Sequence, residues 1–220
     1  KYYNINTNLA IEVAKKAKDD KVKQFIYLSS IIIYNDIKEK VINYNTIPKS
    51  SNYYGDSKLQ ADLEIQKLQS SDYNVCILRL PMIYGKNCKG NFALLQKISK
   101  KSLFFPIYNN ERSMLYIENL CMFILLMIEN NEKGVFFPQN EEYSNTSTIV
   151  KLISKYSNKK IIMIKGFSFL INILKQNKGK IGILANKAFG DKVYDKNISK
   201  YKYKYQIFSL EQSIKRIEES

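Results

Sequence analysis

The order of apolar and polar positions along the chain predicts alternating helices and buried strands. Apolar residues recur at helical spacing over 8–18, and a short apolar run follows at 24–28. The same pair then repeats, with helical spacing over 54–68 and a largely apolar run at 75–80. Apolar runs without polar alternation are typical of parallel strands buried on both faces. The alternation therefore predicts an α/β fold with a parallel sheet and right-handed crossovers.

The second half of the chain has shorter and less regular elements. Its spacing predicts helices over 92–101, 117–129 and 148–156, and strands over 103–107, 135–137 and 161–164. Thr146 and Ser147 are candidate caps of the third of these helices. Ser209 and Gln212 have the spacing of a capping box before a last amphipathic helix.

Composition indicates an ordinary globular chain. Of its 220 residues, 45% are hydrophobic and 25% are charged. The three cysteines are irregularly spaced, which favours neither a disulfide framework nor a metal site and is typical of the cytoplasm. No apolar run reaches the length of a membrane span, and the first residues lack a signal-peptide core. We therefore expect a cytoplasmic protein with no metal and no membrane partner.

The net charge of +15 raises a nucleic-acid-binding alternative. The lysines are scattered along the chain, however, and only three arginines occur among its 35 basic residues. Scattered lysines favour a solvated surface over a face that binds a polyanion. We therefore expect no nucleic-acid partner, and salt-sensitive binding of DNA or RNA would indicate the alternative.

The chain contains no histidine, so any acid–base chemistry must use tyrosine, lysine or carboxylates. Tyr54 and Lys58 lie four residues apart at the start of a predicted helix, which puts them on one face. A neighbouring cation stabilises a phenolate and makes a phenol usable as a base. In a chain with 17 tyrosines this spacing also arises by chance. The position of Ser30 strengthens the interpretation of the Tyr54–Lys58 spacing as a site. Ser30 ends a predicted strand, and ligands of open α/β sheets bind at the carboxyl ends of strands.

Five segments occur together in a recognisable order. They are LSSIIIY at 28–34, NYYGDSK at 52–58, ILRLPMIYG at 77–85, KGNF at 89–92 and RSMLYIENL at 112–120. In this order and spacing the chain resembles the extended short-chain dehydrogenases/reductases, especially the bacterial nucleotide-sugar 4-epimerase branch of the NAD-dependent epimerase/dehydratase family. The resemblance implies a partial Rossmann-like, doubly wound parallel sheet with a small α/β substrate lobe.

The resemblance also implies domains and roles. Residues 1–83 and 112–138 would be the remainder of an NAD(P)-binding domain, and 84–111 and 139–220 mainly the substrate lobe. Ser30 would hydrogen-bond the sugar oxygen, Tyr54 would take and return its proton, and Lys58 would assist Tyr54 and hold the cofactor ribose. Without the other segments, Ser30 could equally be an ordinary strand end.

Three further residues take their roles from the resemblance. Pro81 would lie beside the nicotinamide, and Asn91 and Arg112 would hold the nucleotide diphosphate. An arginine fork suits a diphosphate, which gives Arg112 a physical reason. As alternatives, Asn91 could be a helix cap and Arg112 could be part of a surface ion pair.

The chain departs from the family at its start. Family members begin with a strand and a glycine-rich turn that holds the dinucleotide, whereas the first glycine here is Gly55. We therefore expect about three strand–helix units to be missing before Asn6 and the chain alone to be prone to aggregation. The residue that selects NAD or NADP would be missing too, so NAD is expected and NADP stays open.

The expected function is NAD-dependent 4-epimerisation of a UDP-sugar such as UDP-glucose or UDP-N-acetylglucosamine. Two alternatives stay open: an NADPH-dependent reductase of a 4-keto nucleotide sugar, and a non-catalytic remnant that binds sugar nucleotides. The resemblance leaves a homodimer through the Tyr54 helix open and, at the level of the family alone, suggests a role in surface polysaccharide synthesis.

Overall fold

The computed structural model describes residues 1–219, which form an α/β fold of two compact units. Unit 1 comprises Lys1–Met82, Asn119–Gln139 and Tyr194–Tyr205, and unit 2 comprises Ile83–Glu118, Asn140–Val193 and 206–219. No helix in residues 1–219 is long and apolar enough to cross a lipid bilayer.

The helices and strands follow the predicted alternation. The helices are α1 (Ala10–Asp19), α2 (Tyr53–Gln66), α3 (Asn91–Lys101), α4 (Ile117–Glu129), α5 (Thr146–Tyr156), α6 (Ser168–Gln176), α7 (Lys180–Phe189) and α8 (Leu210–Glu219). The strands are β1 (Gln24–Ser30), β2 (Val41–Ile42), β3 (Asn74–Leu80), β4 (Met82–Tyr84), β5 (Phe104–Pro106), β6 (Met114–Tyr116), β7 (Gly134–Phe136), β8 (Ile162–Ile164) and β9 (Val193–Tyr194). A π-helical turn, Tyr3–Leu9, leads into α1, and a 3-10 turn, Ile31–Tyr34, follows β1.

Unit 1 is built on a three-stranded parallel sheet in the order β1, β3, β7. β1 and β3 pair along their whole lengths, and Ser30 lies opposite Leu80 at their carboxyl ends. β3 is buried along nearly its whole length, as expected of a parallel strand covered on both faces, whereas β1 is mostly half-buried and its Leu28 is 43% exposed, contrary to the prediction of burial on both faces. The predicted parallel α/β fold is therefore confirmed.

Two apolar clusters support this sheet. The first joins α1 and α2 to β1 and β3, and its buried residues include Ala14, Ala61, Ile65 and Ile77. The second lies around the 3-10 turn after β1 and contains Ile33, Tyr34, Ile42, Phe137, Tyr194 and Ile198. Burial of these side chains fixes the ends of β1 and β3, where the predicted site lies.

Unit 2 packs three helices together, with α5 against both α3 and α8. Tyr84 is fully buried, and its hydroxyl lies 2.6 Å from Ser213 Oγ while Asn140 Nδ2 donates to it at 2.9 Å. Two short strand pairs, β4 with β6 and β5 with β8, complete the unit. The family motif residue Tyr84 is thus part of a core.

The helix caps were predicted with mixed success. Ser209 and Gln212 form the expected capping box, each backbone N–H donating to the other's side chain. Thr146 and Ser147 were the wrong candidates for the cap of α5. Asn145 Oδ1 accepts from the N–H groups of Ser147 and Thr148 instead, because α5 begins two residues earlier than predicted.

The compact units divide the chain differently from the predicted domains in two places. Residues 112–118 belong to unit 2, where β6 pairs with β4. Residues 194–205 belong to unit 1, because Tyr194 packs on Phe137 and Tyr205 on Phe123. The assignment of cofactor and substrate roles to the two parts stays a prediction.

Candidate active site

Ser30 ends β1 in extended conformation and begins the 3-10 turn that follows. Its Oγ accepts a hydrogen bond from the N–H of Ile32 at 3.3 Å. Because this bond uses the oxygen as acceptor, the hydroxyl proton of Ser30 stays available to donate to another oxygen. The local turn thus orients a donor at the carboxyl edge of the sheet.

The first turn of α2 lies close against the segment after β1. Asn52 caps the helix, its Oδ1 accepting from the N–H of Gly55 at 2.7 Å. A Cβ at Gly55 would lie 2.1 Å from Ser50 Oγ and 2.9 Å from the carbonyl oxygen of Ile32. Only glycine allows this approach, which explains the glycine after Tyr54 and brings the start of α2 beside the end of β1.

Lys58 reaches from α2 to β1. Its Nζ donates to the carbonyl oxygen of Leu28 at 2.8 Å and lies 4.4 Å from the centre of the Tyr27 ring. Burial lowers the pKa of Lys58, and the charge of Asp62 partly opposes this shift. Two of the three ammonium protons remain for further acceptors. The ammonium of the half-buried Lys58 is therefore held at the backbone of Leu28, two residues before Ser30.

Tyr54 lies one turn before Lys58 on the same helix. Its side chain is 42% exposed, and the ring of Tyr2 packs edge-on against it with 5.7 Å between centroids. The adjacent Tyr53 is 76% exposed. Tyr54 thus packs against Tyr2 and is still partly exposed to solvent. Such exposure is required of a residue that contacts a ligand.

Pro81 directly follows β3 and is buried. Since Ser30 pairs with Leu80, Pro81 lies at the same edge of the sheet as Ser30. The structure therefore brings Ser30, Tyr54, Lys58 and Pro81 together around the ends of β1 and β3 in unit 1. Their individual roles stay predictions.

A buried ionic network behind this edge was not predicted from the sequence. Arg79 donates to both carboxylate oxygens of Asp62, at 3.1 and 2.8 Å, and to Tyr34 Oη at 2.6 Å. Burial opposes the charge of Arg79, but the hydrogen bonds and charge of Asp62 outweigh it and raise its pKa. The network joins β3, α2 and the turn after β1. An arginine inside the apolar run 75–80 was the available signal.

Asn91 and Arg112 lie in unit 2. Asn91 is the first residue of α3 and is half-buried. Arg112 donates to the carbonyl oxygens of Gly190, Lys187 and Asn186, at 2.8, 2.5 and 2.6 Å, and so caps the end of α7. Burial lowers the pKa of Arg112 to about 10. The predicted diphosphate contacts of both residues stay predictions, and Arg112 has a structural role that the sequence did not indicate.

Residues 1–219 contain no group of three or more cysteine, aspartate or glutamate side chains arranged to hold a metal ion. The chemistry that the site offers is that of a phenol, an ammonium and a hydroxyl at the edge of a parallel sheet. These are the side chains, and this is the sheet edge, that the resemblance to the short-chain dehydrogenases/reductases implied.

Comparison with known proteins gives the family. Residues 1–144 match the model of the NAD dependent epimerase/dehydratase family, so the chain belongs to this family of enzymes. The chain is 32% identical over 158 residues to a UDP-glucose 4-epimerase of Vibrio cholerae, a match that covers 68% of the chain and 48% of the relative. The sequence-based recognition of the family is confirmed.

A second curated relative and a solved structure extend the comparison. An N-acetyl-alpha-D-glucosaminyl-diphospho-ditrans,octacis-undecaprenol 4-epimerase of Escherichia coli O157:H7 is 27% identical over 167 residues, or 73% of the chain and 50% of the relative. A UDP-glucuronic acid 4-epimerase of Bacillus cereus, solved with NAD, shares the fold at 16% identity and a TM-score of 0.70, with 97% of the chain and 66% of that protein covered. The chain spans about half the length of the curated relatives it matches.

Proposed function

We propose that the complete protein inverts the C4 hydroxyl of a UDP-sugar in an NAD-dependent reaction. One observation carries the proposal: Lys58, fixed to the backbone of β1, and Tyr54, one turn before it, lie beside the strand end that carries Ser30. The family match and the 4-epimerase relatives support the reaction class.

Tyr54 is the proposed acid–base group. In the forward half-reaction it takes the proton of the sugar C4 hydroxyl, and in the return half-reaction it gives a proton back to the keto oxygen. The ammonium of Lys58 stabilises the phenolate of Tyr54, which is present before the first half-reaction and is restored by the second; between them Tyr54 is a neutral phenol that holds the proton. Exposure of Tyr54 allows a substrate to reach it.

Ser30 is the proposed partner of the same sugar oxygen. Its Oγ already accepts the N–H of Ile32, and its own proton is available for a second acceptor. A keto oxygen at C4 is an acceptor only, which fits this donor. Ser30 would therefore favour the keto form through a hydrogen bond.

The residues present fit the nicotinamide end of NAD. Lys58 retains ammonium protons for ribose hydroxyls, and Pro81 lies at the same sheet edge. The neighbouring Ser29 Oγ is buried and, within residues 1–219, has no hydrogen-bond partner, as expected where a bound group completes the bonding. NAD, when bound, supplies the acceptor and donor of the hydride at C4.

Reduction of a 4-keto nucleotide sugar with NADPH is the alternative reaction, because it would use the same three side chains. A sugar diphosphate carried by a polyprenol is an alternative substrate, as the name of the Escherichia coli relative states for that protein. Segment 165–189 of unit 2, whose exposed residues include large apolar side chains and lysines, is the observation that favours this second substrate class.

The test is turnover of UDP-glucose and UDP-N-acetylglucosamine by the complete protein. We expect conversion to the 4-epimer with NAD present in catalytic amounts, and a loss of about 10²- to 10⁴-fold in kcat for Tyr54→Phe. The matched control is Tyr53→Phe, which removes a hydroxyl from the neighbouring exposed residue and should leave kcat unchanged.

Other outcomes separate the alternatives. Consumption of NADPH in proportion to product would indicate the reductase. Binding of a UDP-sugar without binding of NAD would indicate a non-catalytic remnant. If Tyr54→Phe retained full turnover, the proposed acid–base role would be wrong even if the epimerase activity were found.

A further inference from the structure

Two consecutive helices of unit 2 leave large apolar side chains in contact with solvent. In and just before α6, four such residues are 43% to 77% exposed: Phe167, Phe169, Leu170 and Ile173. Phe169 and Ile173 are spaced i, i+4, and Leu170 and Ile173 are spaced i, i+3, so these three share one face of the helix. Ile171 is buried and attaches α6 to the unit. α6 therefore has two apolar faces, one that packs against unit 2 and one that is exposed to solvent.

α7 repeats this arrangement. Its Gly182 and Ala185 are buried, whereas Ile181, Ile183 and Leu184 are 55% to 58% exposed. Small residues thus face the protein and large apolar residues face solvent, which reverses the usual pattern of a surface helix. Exposed apolar residues concentrated in one segment mark a surface that contacts another protein or a membrane.

The charged residues within the segment that forms these helices have one sign. Residues 143–190 contain no aspartate or glutamate, and five lysines lie between 165 and 187: Lys165, Lys175, Lys178, Lys180 and Lys187. Lys175 lies near Asp191, at 3.5 Å. Lys178 and Lys180, in the connection and at the start of α7, are exposed. An anionic surface would be complementary to this segment.

We propose that segment 165–189 docks on a membrane surface that carries anionic phospholipids. Phe, Leu and Ile side chains that enter the boundary of the acyl chains, together with lysines near the headgroups, are the features of helices that lie in the plane of a bilayer. Each lysine adds attraction to an anionic leaflet. Within residues 1–219 no helix is long and apolar enough to cross a bilayer. The proposed contact is one in which segment 165–189 lies on the membrane surface.

The proposal is independent of the reaction assigned above. It concerns where the protein lies, and it would stand if turnover of UDP-sugars were not found. It also differs from the expectation, drawn from the absence of an apolar span, that the protein has no membrane partner, because a surface contact needs no span.

The test is co-sedimentation of the complete protein with vesicles of phosphatidylethanolamine and phosphatidylglycerol, and with vesicles of phosphatidylcholine alone. We expect binding to the anionic vesicles and weak binding to the neutral ones. The double variant Phe169→Ser, Ile173→Ser should bind anionic vesicles about tenfold more weakly. The matched control is Leu103→Ser, which removes a 69% exposed apolar side chain elsewhere in unit 2 and should bind as the unaltered protein does.

A charge variant keeps the proposal testable if the apolar variant fails to fold. Lys178→Glu with Lys180→Glu changes two exposed side chains and should weaken binding about tenfold or more, whereas Lys97→Glu with Lys101→Glu on α3 should not. Circular dichroism and the unfolding temperature confirm that each variant is folded.

Three results would overturn the proposal. The first is no binding of the unaltered protein to anionic vesicles. The second is equal binding of the unaltered protein and both segment variants, which would assign the attraction to overall charge. The third is a dimer in gel filtration that Phe169→Ser, Ile173→Ser converts to a monomer while vesicles stay unbound, which would show that a second copy covers the segment.

Discussion

Two interactions and partial burial together restrict where the charge of Lys58 lies. A backbone carbonyl, an aromatic ring and burial act on one ammonium, and burial lowers its pKa. The direction of this shift means that the folded protein binds the Lys58 proton less tightly than the unfolded chain does. The energetic cost is fully present below the lowered pKa, including at neutral pH, and disappears as pH rises from the lowered pKa to the usual pKa of lysine, so the charged side chain lowers the stability of the fold.

Lys58→Met should therefore change the pH dependence of catalysis. Without the cation the phenolate of Tyr54 is less stabilised, so we expect kcat to fall, and we expect the high-pH change in rate that accompanies loss of the Lys58 proton to disappear. The measurement is a pH–rate profile of the complete protein. The control is Lys67→Met, which removes an exposed lysine at the end of the same helix. This variant should keep the pH–rate profile of the unaltered protein.

An unchanged profile in Lys58→Met would contradict this role. It would leave Lys58 as a residue that only fastens α2 to β1, a function that lowers stability when lost but does not move the pH dependence.

At the scale of elements, the Arg79–Asp62 pair connects β3 to α2. Both side chains are buried, and the bond is bidentate. Removing one partner of a buried pair leaves the other charge without compensation, which typically costs about 3–5 kcal/mol. The Arg79–Asp62 pair thus holds the helix that carries Tyr54 and Lys58 to the sheet. Substitution of either partner is expected to destabilise the fold strongly.

Asp62→Ala should lower the free energy of unfolding by about 3–5 kcal/mol. The control is Glu64→Ala on the same helix, whose carboxylate pairs with Lys67 at the surface and should contribute less than about 1 kcal/mol. Denaturant unfolding followed by circular dichroism measures both. A loss in Asp62→Ala no larger than in Glu64→Ala would contradict the importance of the network.

Elements with strong periodicity were predictable from the sequence, and those determined by tertiary contacts were not. The runs that became β1 and β3 and the spacing that became α2 gave the sheet edge with Ser30, Tyr54 and Lys58. The two-residue strands β2 and β9 have no period to detect, and they form because Tyr194 is buried beside Ile42. α6 and α7 were missed because their apolar residues do not mark a core-facing stripe.

The candidate site was predictable only in part for a similar reason. A motif gives residue identities at the strand ends, and the structure places four of the six candidates together in unit 1. The hydrogen bonds of Arg112 to the end of α7 depend on a helix that the sequence pattern did not predict. The Arg79 network likewise depends on three segments far apart in the chain.

At the scale of the whole molecule, β1 is an edge strand within residues 1–219, since it pairs with β3 alone. Unpaired backbone groups along an edge promote pairing with another chain.

We expect the chain of residues 1–220 to associate as its concentration rises, measured by light scattering. Ile26→Lys, which puts a charge on this strand, should reduce association, and Val22→Lys, just before the strand, should not. Equal association of both variants would show that β1 is not the contact.

Arg112 has a consequence that concerns entropy. A free arginine side chain loses about 2 kcal/mol of rotamer freedom when a ligand immobilises it. Here three carbonyl oxygens around the end of α7 already hold the guanidinium, so that freedom is lost on folding. Two of its five N–H groups remain for an anion. A diphosphate that bound there would meet a side chain already ordered, and more of the interaction energy would appear as affinity.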